Sequence, residues 1–418
     1  MYKQNLIFDA SVIADNLFNN GKGRSGIYFV AYNVLKNLFA TEKFNISLYC
    51  NIANKEDFTK FVHQEFGNDV KIYFGNRFGT WLKKFSELDK KLREKKHNIL
   101  KLFLNIFIRK PLKFFGSFVV LPNFDIALSP VYAFSKKIHA KQKYIILHDA
   151  IPWILSSYYK SFRSNKHYWF DVLARYIKSK PNCKFFAVSE NTKNDFIKLL
   201  DMNPDDITVI HLAASDDFYQ EKDSKKIKSV CHKYNIPIDK KYVFCLCTLE
   251  PRKNLIRAVK TFIEFIKKNN INDMVFVLGG AYWKDFIEIL KSEIKDLGKY
   301  SDKIIRAGYV DDKDLPILYS GAEFFVYTSQ YEGFGLPPLE AMKCGTAVIT
   351  SNNSSLPEVV GDAAIKIDFD SDEQHIAAYE KYYMDEKYRK SMVQKGLKRV
   401  QDFSWKKTVN IIINTIKR

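Results

Sequence analysis

The stretch EGFGLPPLE, Glu332 to Glu340, sets two carboxylates eight positions apart around a glycine-rich turn. Glycine-rich backbone entering a helix offers unpaired amides, and these together with the helix dipole favour an anion, commonly a phosphate. Two acids bracketing such a cradle need a reason. Pro337 and Pro338 suit the first positions of a helix, LEAMKC, which Gly345 would end, so the amides of Gly333, Phe334, Gly335 and Leu336 lie free ahead of it. A carboxylate accepts two hydrogen bonds and matches a vicinal diol. Glu332, before the loop, can therefore grip sugar hydroxyls, and Glu340, in the first turn, a ribose diol, while the amides take the charged middle of the ligand. A nucleotide-sugar has that order of parts: sugar, diphosphate, ribose. Taken singly, Glu332 reads equally as a loop surface residue and Glu340 as a first-turn acid favoured by the dipole.

A second cluster adds weight. In Thr248-Leu-Glu-Pro-Arg-Lys-Asn254, which follows the apolar run YVFCLC and opens a helical pattern, Arg252 and Lys253 are adjacent cations at a helix N-terminus. Cations oppose the dipole there, so an anion between them and the helix is expected, and a diphosphate fits. The plainer alternative turns both side chains to solvent. Gly21-Lys-Gly-Arg-Ser-Gly26 spells GxGxxG ahead of a helix starting near Ile27. In a dinucleotide fold the strand runs straight into the first glycine, and an acid ends the next strand. Here about seven residues intervene, and the next strand, NISLYC, ends at Asn51-Ile52, so NAD is not expected. A phosphate-friendly loop carrying Lys22 and Arg24, or simply a loose loop, remains. Asp368-Phe369-Asp370 matches a metal-binding motif on paper, but it follows a strand in a loop where acids are common. Coincidence is the better reading, and neither a metal nor another cofactor is expected.

Elements of alternating period must position these residues. LIFDASVI, IYFVAYNVLKNLF, NISLYC, YIILHD and CKFFAVS alternate strand and helix. After Ser215 the series restarts with YVFCLCTL, NLIRAVKTFIEFIKK, MVFVLGG, FFVYTS and TAVITS. Such alternation predicts α/β units with a parallel sheet, and two series in 418 residues with 46% hydrophobic content predict two doubly wound Rossmann-like domains. The expected division is 1–215, then 216–400, then a terminal helix in 401–418 packing back toward the first domain. Residues 1–215 hold 33 basic and 18 acidic side chains, net +15, against 33 and 29, net +4, in the remainder. The basicity therefore sits in the first half and implies an anionic partner for it. Residues 81–115 are its extreme, with 11 Lys/Arg against 3 acids. Leu82, Phe85, Leu88 and Leu92 recur there at helical spacing, which fits either a solvated surface helix or a helix lying in an anionic membrane interface.

Other classes recede. The six cysteines form no CxxC pair and read as reduced thiols of a cytosolic protein. MYKQNLIFDASVI reads as a first strand and not a signal peptide, and no charge-free run reaches the about 18 apolar residues of a spanning helix. A basic nucleic-acid-binding protein would explain the charge but would leave EGFGLPPLE and EPRKN without a role, so no nucleic-acid partner is expected.

The row from GYVDDKDLP through YEGFGLPPLEAMKCGTAVITSNNSSLPEVVGDAAI, with TLEPRKNL and VSENTKND, is similar to retaining glycosyltransferase family 4. The pattern is nearest to bacterial mannosyltransferase-like members that build O-antigen lipopolysaccharide and capsule. The similarity is dense from about Tyr242 to Asp370 and thins toward LHD at Leu147–Asp149 and GRSGI at Gly23–Ile27. It implies the GT-B fold, two Rossmann-like domains facing across a cleft, with the donor bound mainly by the second and the acceptor by the first. Carried over, Glu332 would contact the donor sugar and Glu340 hold the ribose. Lys253 with Arg252 would neutralise the leaving diphosphate, Gly333, Phe334, Gly335 and Leu336 would form the backbone cradle, and His148 would be a cleft histidine near the donor sugar. Gly26 would belong to the first-domain loop at the ligand, while Asp149 reads as a cap. Cys247 stands where glycine is usual, and Ala347 where proline is common. The implied activity is sugar transfer with retention, without metal. GDP-mannose is the first donor to consider, with UDP-hexosamine, UDP-glucose and GDP-fucose open. The expected acceptor is a lipid-linked saccharide at the inner face of the cytoplasmic membrane, with a soluble or protein acceptor the alternative.

Overall fold

The computed structural model describes residues 3–17, 26–51, 54–76, 104–131, 137–156, 166–179, 182–248, 250–280 and 297–417, with positions 78–82, 84, 85, 88, 134, 135, 288, 290 and 292. Two sheets organise them. The first comprises β1 (Gln4–Asp9), β2 (Phe44–Cys50), β3 (Ile72–Phe74), β4 (Asn123–Ser129), β5 (His139–Leu147), β6 (Cys183–Ala187) and β7 (Ile207–Val209), in the order β3-β2-β1-β4-β5-β6-β7. The second comprises β8 (Lys241–Leu246), β9 (Met274–Gly279), β10 (Ile304–Gly308), β11 (Phe324–Tyr327), β12 (Val348–Ser351) and β13 (Ala364–Ile367), in the order β10-β9-β8-β11-β12-β13. Every pairing is parallel. β9, MVFVLG, is buried at every position, as a strand covered on both faces must be. Helix Leu255–Lys268 supplies one cover: Leu255, Ala258, Val259, Phe262, Ile263 and Ile266 recur at three and four and face the sheet, with Phe262 edge-on to Phe276 of β9.

Each sheet reverses its winding once, between β1 and β4 and between β8 and β11. Outside the carboxyl ends of strands at such a reversal the flanking helices diverge and leave a crevice. The residues just past those ends are Ala10, Ser129-Pro130, Cys247 and Thr328-Ser329. The two crevices face each other, which is why site residues distant in sequence converge.

The chain returns to the first domain at its end. In helix Trp405–Ile416, Val409, Ile412, Ile413 and Ile416 are buried in the first-domain core, at the three–four spacing of a one-sided helix. Each such side chain contributes about 1.5–3 kcal/mol of burial. Ser404 caps the helix by accepting from the Lys407 amide at 3.2 Å, and the Thr408 hydroxyl donates to the His211 carbonyl.

One motif falls largely outside the described residues, and one expectation changes at this level. Residues 21–25 of the GxGxxG motif lie outside the described residues, while Gly26 is the exposed first residue of helix Gly26–Ala40. The stripe Leu82, Phe85, Leu88 does not form one outward apolar face: Leu82 is buried in the domain, Phe85 half-buried and Leu88 exposed, with Leu92 outside the described residues. Because Leu82 packs into the domain, a lipid-facing stripe beginning at Leu82 is not what the described residues present.

Candidate active site

A cleft of about 1410 Å³ separates the domains. Its first-domain wall includes Gly26, Tyr32, Phe61 and His148, and its second-domain wall includes Arg252, Lys253, Glu332 and Glu340. All the sequence-derived site residues thus line one space.

Its centre is a buried ion cluster. Glu332 Oε1 accepts from Lys253 Nζ at 2.5 Å, from Arg252 Nη1 at 3.0 Å and from the Tyr327 hydroxyl at 3.0 Å. Tyr327 also accepts from Lys253 Nζ, whose ammonium lies 4.8 Å from the centre of the tyrosine ring. Arg252 is fixed further by Glu250 (Nε to Oε2, 2.8 Å) and by the Tyr331 carbonyl at 3.0 Å. Burial alone would raise the Glu332 carboxyl, but the charges of Arg252 and Lys253 hold it down at about 2. Burial, and then the neighbouring Arg252, lower Lys253 from its ordinary value. All three bonds to Glu332 converge on Oε1, so spare acceptor capacity resides in Oε2.

The cations do not sit at the helix N-terminus as expected. Pro251–Lys253 forms a single 3-10 turn, Asn254 adopts a left-handed conformation at φ 56°, and the α-helix begins at Leu255. The proline fixes φ at the first turn position, and the following reversal throws both cations back across the strand ends toward Glu332. Asn254 Nδ2 secures the turn by donating to the Phe369 carbonyl at 2.6 Å.

The EGFG loop carries the backbone donors. Among the described residues, the amides of Gly333, Phe334, Gly335 and Leu336 donate to no protein group. Gly335 holds φ at 115°, which a side chain would strain, and helix Leu336–Lys343 follows with its prolines in the first turn. Gly333 is needed for another reason: a Cβ there would stand 1.9 Å from the His148 carbonyl oxygen of the first domain. The Gly333 carbonyl accepts from the hydroxyls of Ser189 at 2.7 Å and Thr192 at 3.0 Å, both first-domain residues. The Phe334 ring is buried in the first-domain core against Phe403, 5.9 Å between centroids and edge-to-face.

Glu340 lies on the cleft side of its helix, with Oε2 accepting from the Tyr319 hydroxyl at 3.2 Å. Burial lifts its carboxyl to about 7, against the pull of that hydroxyl. His148 Nε2 is 2.6 Å from the Pro130 carbonyl, which only accepts, so Nε2 carries the proton and Nδ1 the lone pair. Burial lowers the ring's proton affinity and keeps it neutral. Asp149 accepts from the Ile151 amide at 3.0 Å and so caps the turn that follows. Asp370 of the Asp-x-Asp sequence is paired with Arg257 at 2.6 Å, and Asp368 accepts from the Asp370 amide, so both are spent on holding that loop.

Sequence reasoning missed three participants. Tyr327 bridges Lys253 and Glu332; its position at the carboxyl end of β11, beside the winding reversal, is the signal that could have found it. Tyr331 donates to Asp195 at 2.7 Å across the domain boundary. Glu358 reaches from the second domain to the amides of Glu190 and Asn191 at 2.9 and 3.3 Å, a carboxylate at a helix N-terminus supplied from the other domain.

Two parallel-sheet domains facing across a cleft lined in this way define a GT-B protein. Residues 228–399 match the family described as Glycosyl transferases group 1, so the second domain is a domain of that group. The chain is 34% identical over 231 residues to the O-antigen chain mannosyltransferase B of Escherichia coli, covering 55% of this chain and 59% of that one. It is 28% identical over 276 residues to the serotype-specific mannosyltransferase WbdA of Escherichia coli, covering 65% of this chain and 33% of that one. The chain therefore spans about a third to three-fifths of the length of these curated relatives. Among solved structures, Anabaena HepE, crystallised with UDP and glucose, matches with a TM-score of 0.68 at 15% identity over 99% of both chains. WaaG, a glycosyltransferase involved in lipopolysaccharide biosynthesis, matches at 0.62 and 12% identity over 98% of this chain and 99% of that one.

Proposed function

We propose that the chain transfers a hexose, with retention of anomeric configuration, from a nucleotide-sugar to a saccharide acceptor. GDP-mannose is the first donor candidate, and the acceptor is a lipid-linked saccharide of a bacterial surface polysaccharide, met at the inner face of the cytoplasmic membrane. The observation that carries the reading is the Arg252–Lys253–Glu332 cluster beside four unpaired amides. The cluster is buried in the wall of the cleft, with Arg252 also paired to Glu250. Cations and amides that are already oriented stabilise a departing diphosphate without reorganising as the charge develops. Glu332 positions the cations and offers Oε2 to a sugar hydroxyl, and Glu340 accepts from the ribose. The neutral His148 presents Nδ1 to the cleft's hydroxyls. The mannosyltransferase relatives support the choice of sugar.

The test is a thermal-shift panel of GDP, UDP and dTDP on the full chain, followed by the matching sugar nucleotides and by NMR of the product's anomeric proton. A shift with GDP and GDP-mannose and an unchanged anomeric configuration are expected. A UDP preference would move the donor to UDP-glucose or a UDP-hexosamine. The absence of any nucleotide shift, or an inverted product, would overturn the reading. No described helix is long and apolar enough to cross a membrane.

A further inference from the structure

At the end of the basic segment and just beyond it, a second surface stands out. Helical residues Asn105–Arg109 and Lys110–Gly116 lead through a tight turn, closed by the Val119 amide on the Ser117 carbonyl, into an irregular stretch that reaches Leu121. Phe114 is 61% exposed, Phe115 64%, Phe118 60% and Val120 96%. Such exposure is usual for a lone apolar residue but not for four within seven positions. The arrangement is ordered: Phe114 packs edge-to-face on both Phe115 and Phe118, each 5.3 Å between centroids. Through the turn and beyond it Phe118 and Val120 are exposed, while Val119 and Leu121 pack toward the core. Arg109, Lys110 and Lys113 are the charges of this segment, and from Leu104 to Pro122 there is no acid.

We infer that this aromatic ridge is a lipid-contacting surface that enters the interface of an anionic bilayer, with Arg109, Lys110 and Lys113 at headgroup level. Aromatic rings and cations alternating on one short segment match the two layers of a membrane interface, apolar below and anionic above. A protein partner would be expected to meet some acidic side chains of the ridge, and there are none. The ridge is also fastened to the body of the domain. Asn76, 3% exposed and just past β3, donates from Nδ2 to the Lys113 carbonyl at 3.1 Å. Gly116 fits against the same Asn76, where a Cβ would come within 2.2 Å of its Oδ1. Because all strands of the sheet are parallel, the carboxyl end of β3 lies on the same side as His148 at the end of β5. Four strand spacings separate them, roughly 19 Å. The ridge starts at this cleft-side edge by Gly116 and runs to the amino end of β4 at Asn123, so a bilayer touching it meets the flank of the first domain. The inference deepens the lipid-linked part of the proposed function but stands on residues that touch no nucleotide.

The test is co-flotation of the full chain with phosphatidylcholine vesicles and with vesicles of phosphatidylcholine and phosphatidylglycerol in equal parts. The native chain is expected to float with the anionic vesicles, and F114S/F115S/F118S to lose at least tenfold in apparent affinity. R109Q/K110Q/K113Q is expected to lose about fivefold per cation removed, only on anionic vesicles. Both variants should keep the native unfolding temperature and the nucleotide-induced shift, since all of these side chains but the half-buried Arg109 are exposed and none lines the cleft. Native-level flotation of the phenylalanine triple variant would overturn the inference. So would a native chain that ignores both vesicles, or one whose ridge proves to be a self-association surface, sedimenting as a dimer that the triple variant abolishes. Flotation without any nucleotide response would sink the donor reading and leave this one standing.

Discussion

Glu332→Gln separates two roles of one carboxylate. Arg252 and Lys253 hold Glu332 at about 2, against an ordinary 4.5. That gap of roughly 2.5 pH units corresponds to about 3 kcal/mol of folding stability at neutral pH. Breaking a buried ion pair by removing one partner gives the same order, about 3–5 kcal/mol. The sign is that of a depressed acid: the contribution is present above pH 4.5 and lost as the pH falls through about 2. Glu332→Gln should therefore unfold earlier at pH 7, by roughly 6–12 °C for a domain of this size, and the difference should close as both proteins are acidified toward pH 2. The substitution leaves Lys253 buried with no carboxylate partner, while Arg252 keeps Glu250. A nucleoside diphosphate restores the missing negative charge. If it recovers half of the lost 3 kcal/mol, calorimetry will show binding about tenfold tighter than in the native chain. Transfer should nevertheless fall at least about 100-fold, because the cations are no longer aimed and the sugar hydroxyl loses its acceptor. A folded Glu332→Gln protein that loses nucleotide affinity together with turnover would refute the reasoning, since it would mean that the cations beside Glu332 do not face the diphosphate.

Lys253→Ala should act in the opposite direction on binding, weakening the nucleoside diphosphate more than tenfold by calorimetry and lowering transfer by about 100- to 1000-fold; native turnover would exclude Lys253 from the site. Gly333→Ala places a methyl where the His148 carbonyl lies, and overpacking of this kind costs about 1–3 kcal/mol. Its unfolding temperature and turnover should both drop, and an unchanged protein would mean that the two domains do not meet at this point. Glu340 titrates near 7 because burial raises it. If its carboxylate clasps the ribose, nucleotide affinity should rise from pH 6 to 8, and Glu340→Gln should bind weakly with a flat profile. The raised acid destabilises the fold as pH rises from 4.5 through 7, so Glu340→Gln should also be the more stable protein at pH 8 and not at pH 4.

What could be read in advance follows the range of the forces involved. Strands such as β9 declared themselves because burial on both faces demands an uninterrupted apolar run, and helix Leu255–Lys268 because one face alone is covered. The glycines and prolines of EGFGLPPLE announced a backbone geometry that few other residues permit. Contacts made across the cleft left no such local trace. Within its own strand Tyr327 looks like any residue that packs, and only its place at the carboxyl end of β11 beside the winding reversal marks it for hydrogen-bonding to Lys253 and Glu332. The pairing of Arg252 and Lys253 with Glu332, 80 and 79 positions away, depends on which strands adjoin at the winding reversal. The basic segment was visible as composition, but composition does not tell which apolar residues turn inward. Leu82 is buried, while Phe114 and Phe115 at the end of the run, and Phe118 and Val120 just beyond it, are exposed.

The EGFG loop is nominally part of the second domain, yet its conformation is set from both sides. Its Gly333 carbonyl is held by two buried hydroxyls of the first domain, its Gly333 Cα rests against the His148 carbonyl, and its Phe334 ring is sunk in the first-domain core. The amides that follow can face the cleft only while those contacts hold. The same junction carries the Tyr331–Asp195 bond and the Glu358 carboxylate on the amides of Glu190 and Asn191. Opening the cleft at this junction would turn the amides away and leave the Gly333 carbonyl without its two buried hydroxyl donors, an unmet buried group costing about 1–3 kcal/mol. The junction therefore resists opening, and it holds the EGFG amides and the His148 carbonyl at one spacing.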